Sequence, residues 1–134
     1  MERKYGFLCD FAQEAGGKLT AVGLGINRLF AAEIPTTHPS LTLVVGVEYS
    51  IAEAGTKHLE VRLIDADGND VLPKNIEGDM PFEEPDAGTG TVNVIINFLG
   101  LKFEKYGDYA FHVTFDGMEI ARLPLVVGAP PSTA

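Results

Sequence analysis

The side chains best suited to chemistry form a run of short polar residues in the middle of the chain. Asp65, Asp67, Asn69 and Asp70 surround Gly68, and hard cations such as Ca²⁺ bind several carboxylate and carbonyl oxygens. The spacing does not fit the helical calcium-binding loop, because Gly68 comes too early in the run. Side chains of this type also bond to their own backbone in tight turns. We therefore predict a hairpin turn here, with a cation site as the alternative.

A second group of carboxylates lies in the interval 70–90. Glu83 and Glu84 stand close to Asp79 and Asp86, and glycoside hydrolysis uses a pair of carboxyl groups. Catalytic pairs lie in a cleft whose surroundings separate their two pKa values, and carbohydrate sites also need aromatic rings. The interval contains one phenylalanine as its only aromatic residue, and the chain has no tryptophan. We therefore interpret these carboxylates as solvated charge.

The other nucleophiles and metal ligands are scattered along the chain. The three histidines show no ligand spacing: they are His38, His58 and His112. Cys9 is the only cysteine and alternates with apolar neighbours, so we interpret it as a small buried hydrophobe. Arg28 could bind a carboxylate of a partner, or pair internally with Asp10 or Glu33. The sequence assigns no catalytic, metal or cofactor residue, and we predict that the protein is not an enzyme.

Composition argues against several functional classes. Nineteen acidic and ten basic side chains give a formal net charge of −9 at pH 7, which opposes binding to phosphate backbones and anionic lipids. No window approaches the roughly 20 apolar residues that span a bilayer, and the apolar run near the N-terminus is too short for a signal peptide. The lone cysteine is typical of a reducing compartment. We expect a cytoplasmic protein that binds neither nucleic acid nor membranes.

Alternating apolar and polar residues predict that strands position all of these side chains. In the segment 107–117, Tyr109, Phe111, Val113 and Phe115 share one face before a turn at Asp116-Gly117. The same alternation predicts six further strands, at about residues 5–12, 18–30, 41–49, 59–63, 91–98 and 121–127. Within the long interval 70–90, Met80 and Phe82 could form a short edge strand.

These strands predict an all-β fold, an antiparallel two-sheet sandwich of about seven strands that is immunoglobulin-like or related. Tyr109 enters the penultimate strand where a tyrosine corner would lie, its hydroxyl bonding back to the preceding connection, or it is simply a core aromatic. Residues 1–127 are predicted to form a single β-sandwich domain, and residues 128–134 a disordered C-terminal tail.

Several short motifs resemble a known family. They are Leu8-Cys9-Asp10-Phe11-Ala12-Gln13, Gly17-Lys18-Leu19, the pair Gly23 and Gly25, Asp65-Ala66-Asp67-Gly68, and Gly107-x-Tyr109-x-Phe111 with Asp116-Gly117. Over residues 5–127 the chain resembles a family of small bacterial β-sandwich proteins that is known only as a domain of unknown function. The resemblance implies a bacterial intracellular protein, and it supplies no activity, ligand or catalytic residue.

The absence of catalytic motifs favours a non-catalytic protein-interaction or structural module. We expect a protein partner to dock on the loops 31–40 and 70–90, or on an exposed strand at 123–127 that could add a partner strand. The sequence does not decide whether the interval 70–90 is functional or merely solvated.

Two alternatives stay open. One is a homodimer through an edge strand or an apolar face, because Tyr49, Ile64 and Leu99 are too many large residues for one sandwich core. The other is a small-molecule or cation-binding protein.

Overall fold

The computed structural model describes residues 1–131 and is built almost entirely of strands. Over these residues there are ten: β1 (Glu2–Cys9), β2 (Phe11–Ala15), β3 (Lys18–Val22), β4 (Arg28–Phe30), β5 (Thr36–Ser50), β6 (Gly55–Asp65), β7 (Ile76–Phe82), β8 (Thr89–Phe103), β9 (Gly107–Phe115) and β10 (Met118–Gly128). A single turn of 3-10 helix, Ile51–Glu53, joins β5 to β6. The all-β class predicted from the sequence is confirmed.

The strands form three sheets. One contains three antiparallel strands in the order β1-β5-β8, and a second contains five in the order β4-β10-β9-β6-β7. The five-stranded sheet is mixed, because β4 runs parallel to β10. The third sheet is the ribbon, the name used below for the hairpin of β2 and β3. The sequence predicted about seven strands in two antiparallel sheets, so the ribbon and the short strand β4 are additions to that scheme.

The core lies between the two larger sheets. The apolar faces of β5 and β8 pack against those of β6, β9 and β10 in one buried cluster. Two aromatic contacts connect β8 with β9: the rings of Phe98 and Phe111 lie 5.1 Å apart, and those of Phe103 and Tyr109 lie 5.0 Å apart, edge to face. Residues at every second position therefore fill the core, as alternation requires.

The ribbon packs over the outer face of the three-stranded sheet. Ala12 on the ribbon shares a small apolar cluster with Cys9 and Val44, and Ile95 packs against it. Because this face is also covered, all residues 41–47 of β5 are buried, unlike a strand with one solvated side. The burial predicted for Cys9 is confirmed, since its exposed fraction is 0%.

The chain leaves the three-stranded sheet at Asp10. The backbone of Gly23 has a φ of 69°, and a side chain at that position would overlap the Asp10 carboxylate. Glycine is needed here for both reasons. The predicted strands 5–12 and 18–30 are therefore each divided. The end of the first, in β2, pairs with the start of the second, in β3, as a hairpin.

The closing hairpin agrees with the prediction. Asp116 and Gly117 have φ angles of 49° and 79°, as the residues of a tight hairpin turn require. The Tyr109 hydroxyl donates a hydrogen bond of 2.6 Å to the Lys105 carbonyl oxygen, so the tyrosine corner is confirmed. Residues 129–131 follow β10 without regular structure, and the rest of the predicted tail, 132–134, lies outside the described residues.

In the part of the chain that the structure describes, no helix has the length and apolar character needed to cross a bilayer.

Candidate functional site

The polar run 65–70 is a turn capped by one carboxylate. Asp65 Oδ1 accepts hydrogen bonds from the backbone amides of Asp67 and Asn69, both at 2.9 Å, and its Oδ2 lies 3.3 Å from Lys105 Nζ. The amide of Asn69 is the main reason that the pKa of Asp65 is lowered, and Lys105 adds to the effect. The oxygens of Asp65 that a cation would need are therefore bonded within the chain, as the hairpin interpretation expects.

A cleft of about 510 Å³ borders this turn. Its apolar lining comes from Val71, Pro73 and Tyr109. Each of its charged residues already has a partner, because Asp65 faces Lys105, Asp70 binds Arg62 at 3.0 Å, and Lys102 lies 3.6 Å from Glu104. The cleft has the size of a small-ligand site but offers no unpaired charge.

The acidic interval 70–90 is in part an edge strand. Glu83, Glu84 and Asp86 are exposed, as predicted for solvated charge. Phe82 is 1% exposed and lies edge to face with Phe115 at 5.0 Å. The predicted edge strand with Met80 and Phe82 is confirmed as β7.

Two carboxylates of β7 hold a histidine of β6. His58 Nδ1 lies 3.2 Å from Asp79 Oδ1, and Nε2 lies 3.0 Å from Glu77 Oε1. Asp79 first and Glu77 second raise the pKa of His58, because both favour the charged imidazolium. All three side chains are well exposed, so the arrangement holds an edge strand and does not enclose a reaction site.

The other sequence candidates do not converge. His112 contacts Glu119, whereas His38 lies on β5 in the other large sheet. Over residues 1–131, no three His, Cys, Asp or Glu side chains are grouped so that they could hold a metal ion. Within the same residues no carboxylate pairs with Arg28, and Asp10 packs against Gly23 instead.

The docking strand predicted at 123–127 is part of β10. Leu123, Leu125 and Val127 are buried in the core. The strand β10 pairs with β9 along its length, and Val126–Gly128 also pair with β4. Before Val126, β10 has β9 as its one neighbour, and Pro124, which lacks an N–H donor, lies in this part of the strand. Its apolar face is nevertheless fully used inside the molecule.

The three apolar residues expected to exceed the core have different environments. Tyr49 is buried and Ile64 is half-buried, whereas Leu99 is 74% exposed. Leu99 lies on β8, fifteen residues long and at the end of the three-stranded sheet. Among the described strands β8 pairs only with β5. One side of β8 therefore presents backbone N–H and C=O groups that pair with no strand within residues 1–131.

The free edge of β8 lacks the usual protective residues. Edge strands are commonly protected by charges, prolines or short length. The segment 89–101 of β8 contains neither a charged residue nor a proline, and Lys102 is the first charge along the strand. Alternation in the sequence predicted the strand at 91–98, but a strand's position in a sheet depends on distant partners, so its edge position could not be read from the sequence.

Internal hydrogen bonds hold the outward side chains of β8 in place. The Asn97 side-chain oxygen accepts hydrogen bonds from Ser40 and Thr42, both at 3.1 Å. Asn93 contacts Tyr5 of β1 and Glu14 of the ribbon. On the inward face Val92 and Ile96 are half-buried against the core. A strand arriving at this edge would meet an ordered surface with little side-chain freedom to lose.

The chain shows only distant similarity to solved structures. It is 15% identical to a β-glucuronidase from glycoside hydrolase family 2, over 72% of this chain and 10% of the enzyme, with a TM-score of 0.32. It is 18% identical to a Bacteroides fragilis protein assigned as a β-galactosidase, over 70% of this chain and 15% of that protein, also with a TM-score of 0.32. This chain spans a small part of either protein, and at such scores neither supports an argument.

Sequence comparison gives a family without an activity. No curated protein matches the chain. The model of DUF6941, a family of unknown function, matches residues 4–128, which include all strand residues except Glu2 and Arg3 of β1.

Proposed function

Starting from the fact that the chain belongs to DUF6941, a family of unknown function, we propose that it is a non-catalytic protein-interaction or structural module. Its docking element is the free edge of β8. The observation that carries the proposal is the composition of that edge, since residues 89–101 have no charge and no proline along a strand with one neighbour. A long edge without such protection is suited to receive a further strand.

Backbone hydrogen bonds would supply the affinity of such docking. Each pair of N–H and C=O groups exchanges water for a protein partner, with a net gain of about 0.5–1.5 kcal/mol per hydrogen bond. Alternate side chains on the two faces would provide specificity. The contacts of Asn93 and Asn97 within the chain keep the ordering cost low, because these side chains are already fixed.

The pairing of charges supports a role without catalysis. Catalytic acids and bases need titratable groups that face an open pocket with displaced pKa values. In the 510 Å³ cleft, Asp65 and Lys105 are bonded to each other, and His58 is held by two exposed carboxylates on a sheet surface. These groups have structural partners that account for their environments.

Three finer assignments belong to the same proposal. The two larger sheets are related to the immunoglobulin sandwich, which the shared core and the Tyr109 corner support. The protein works in the bacterial cytoplasm, which the free, buried Cys9 supports. Its partner is a protein and not a nucleic acid or a membrane, since the net charge is −9.

The test is a pull-down from the native host with a tagged chain, quantified by mass spectrometry. The bait is compared with a T91K/L99K variant, which places charges at two exposed positions on the β8 edge. The matched control T56K/M118K also introduces two lysines, in place of a threonine and a large apolar residue, at exposed positions of the five-stranded sheet. We expect the native chain to capture one protein in stoichiometric amount, which can be the host's own untagged copy of this chain. This protein should be lost with T91K/L99K and kept with T56K/M118K. Equal capture by the two variants would refute docking at β8.

A second candidate function is small-molecule binding in the cleft. The favouring observation is its volume of about 510 Å³ with an apolar wall of Val71, Pro73 and Tyr109. A ligand that binds only the folded chain raises its unfolding temperature. A thermal-shift screen of neutral metabolites, repeated with V71D, tests this candidate independently of the β8 edge.

A further inference from the structure

We infer that the strand seated on the free edge of β8 is β8 of a second copy of this chain, paired antiparallel about a twofold axis at Ile95. This inference rests on the proposed function and names its partner. The two three-stranded sheets would then join into one six-stranded sheet, in the order β1-β5-β8-β8-β5-β1. A closed twofold dimer of this kind uses the same surface on both copies.

The sequence of β8 is nearly symmetric in residue type about Ile95. Four of the six pairs at equal distances from this centre are of the same kind: Val94 and Ile96, Asn93 and Asn97, Val92 and Phe98, and Gly90 and Gly100. The other two pairs each place a threonine opposite a leucine: Thr91 and Leu99, and Thr89 and Leu101. In an antiparallel pair with its axis at Ile95, each of these residues lies opposite its counterpart from the other copy. Apolar residues therefore meet apolar residues, and asparagines meet asparagines, throughout the central stretch 92–98.

Strand geometry also restricts the register. Within 92–98, side chains at odd positions, such as Asn93 and Ile95, face the ribbon side of the sheet, whereas Val94 and Phe98 face the core. After Gly100, which has a φ of 65°, the alternation shifts and Leu101 faces the core. A twofold axis that passes through a residue pairs odd with odd positions, so both faces continue across the interface. A shift by one residue would place core-facing side chains opposite outward ones. The axis at Ile95 satisfies this condition and centres the uncharged segment.

The distribution of charge favours a second copy at this place. Each chain carries a net charge of −9, so two copies repel one another wherever acidic surfaces meet. The segment 89–101 has no charged residue, and pairing there opposes no like charges. The half-buried Val92 and Ile96 would each gain an apolar neighbour across the axis. Added salt screens the overall repulsion and should strengthen the association.

Paired charges at positions 91 and 99 test both the partner and the register. Thr91 and Leu99 are exposed, and in the inferred pairing position 91 of one copy lies opposite position 99 of the other. T91K/L99K would place like charges opposite each other twice, and T91K/L99E would place opposite charges there twice. Sedimentation equilibrium should give the native chain about twice its mass of 14.4 kDa.

We expect T91K/L99K to weaken the dimer at least tenfold and T91K/L99E to retain it. Far-ultraviolet circular dichroism and the thermal midpoint establish that both variants fold. A mass of 14.4 kDa for the native chain at every concentration would overturn the inference, and so would equal behaviour of the two variants.

The inference and the proposed function can fail separately. A native chain that stays monomeric but captures another protein through the β8 edge would refute the second copy and keep the docking function. Capture that does not respond to T91K/L99K would refute docking at β8 itself.

Discussion

β7 and β8 each end one of the two larger sheets, and their free edges are built differently. β7 has seven residues, with Glu77, Asp79 and Pro81 along it. β8 has fifteen and no charge or proline before Lys102. Charge and proline discourage pairing with another chain, because a charge must be desolvated and proline lacks an N–H donor. The β7 edge thus carries residues that oppose pairing, and the β8 edge does not. This difference is why we propose that the β8 edge is the functional one.

The two edges also differ in how they are anchored. β7 inserts Phe82 into the core beside Phe115 and Tyr49, whereas the side chain of Leu99 on β8 is 74% exposed. The edge strand β7 is therefore anchored by a core side chain, whereas the edge strand β8 exposes an apolar side chain to solvent. The following predictions test this difference, beginning with the largest expected effect.

Phe82→Ala should lower the free energy of unfolding by about 3–5 kcal/mol, because it leaves a cavity beside Phe115 and Tyr49. Urea denaturation measures the change. The matched control on the other edge is Leu99→Ala, which should stay within about 0.5 kcal/mol at low protein concentration, since Leu99 is exposed. Similar losses in the two variants would contradict the difference in anchoring.

Removing the two charges and the proline of β7 should allow its free edge to pair with another chain, as we propose for β8. We expect E77T/D79T/P81T to self-associate through β7. The P81T change restores a backbone N–H donor, and the other two changes remove two negative charges. The effect should be at least tenfold in the concentration that gives half-association, measured by sedimentation in the T91K/L99K background. The charge-restored variant E77T/D79K/P81T serves as the control. No added association in the triple variant would mean that composition does not govern these edges.

Tyr109→Phe should lower the free energy of unfolding by about 1 kcal/mol, because the Lys105 carbonyl oxygen loses its hydrogen-bond donor. This bond fixes the connection from β8 to β9 and not the free edge. The mass of the chain in sedimentation should therefore stay that of the native protein. A change in association with Tyr109→Phe would show that the connection contributes to the β8 edge.

His58 should make the stability of the β7 edge depend weakly on pH. Asp79 and Glu77 raise the pKa of His58 above 6.5 in the folded chain. Its contribution is therefore complete below about pH 6.5 and is lost as the pH rises through the folded-state pKa. Urea midpoints between pH 6 and pH 9 should show a difference between the native chain and His58→Gln that shrinks with rising pH. His38→Gln is the control, and a pH-independent difference would contradict this account.

Local patterns in the sequence were sufficient for the strands but not for their neighbours. The alternation from Tyr109 to Phe115 and the turn at Asp116-Gly117 predicted the closing hairpin and its tyrosine corner, because every contact involved is close in sequence. The environment of 123–127 could not be predicted in this way, because the burial of Leu125 depends on strands far away in the chain. The residue types around Ile95 were visible in the sequence, yet their meaning depends on β8 lying at an edge.

The division of the first strands shows the same limit. A glycine in a strand is typical of a bulge or of a close approach by another group, and the structure places the Asp10 side chain against Gly23. Which group would approach was not encoded in the local pattern, since Asp10 lies thirteen positions earlier. The packing of the ribbon on Val44 therefore could not be predicted from the local sequence pattern.

The ribbon has a consequence for aggregation of the chain while it is being synthesised. Residues 41–47 of β5 are uncharged, lack proline and are buried on both faces, which is the composition of segments that stack into amyloid when exposed. The ribbon covers one of those faces, and β2 and β3 precede β5 in the chain. The ribbon is therefore synthesised before the segment 41–47 on which it packs. If the ribbon were detached, this face of β5 would be exposed and the chain would be prone to aggregate through it.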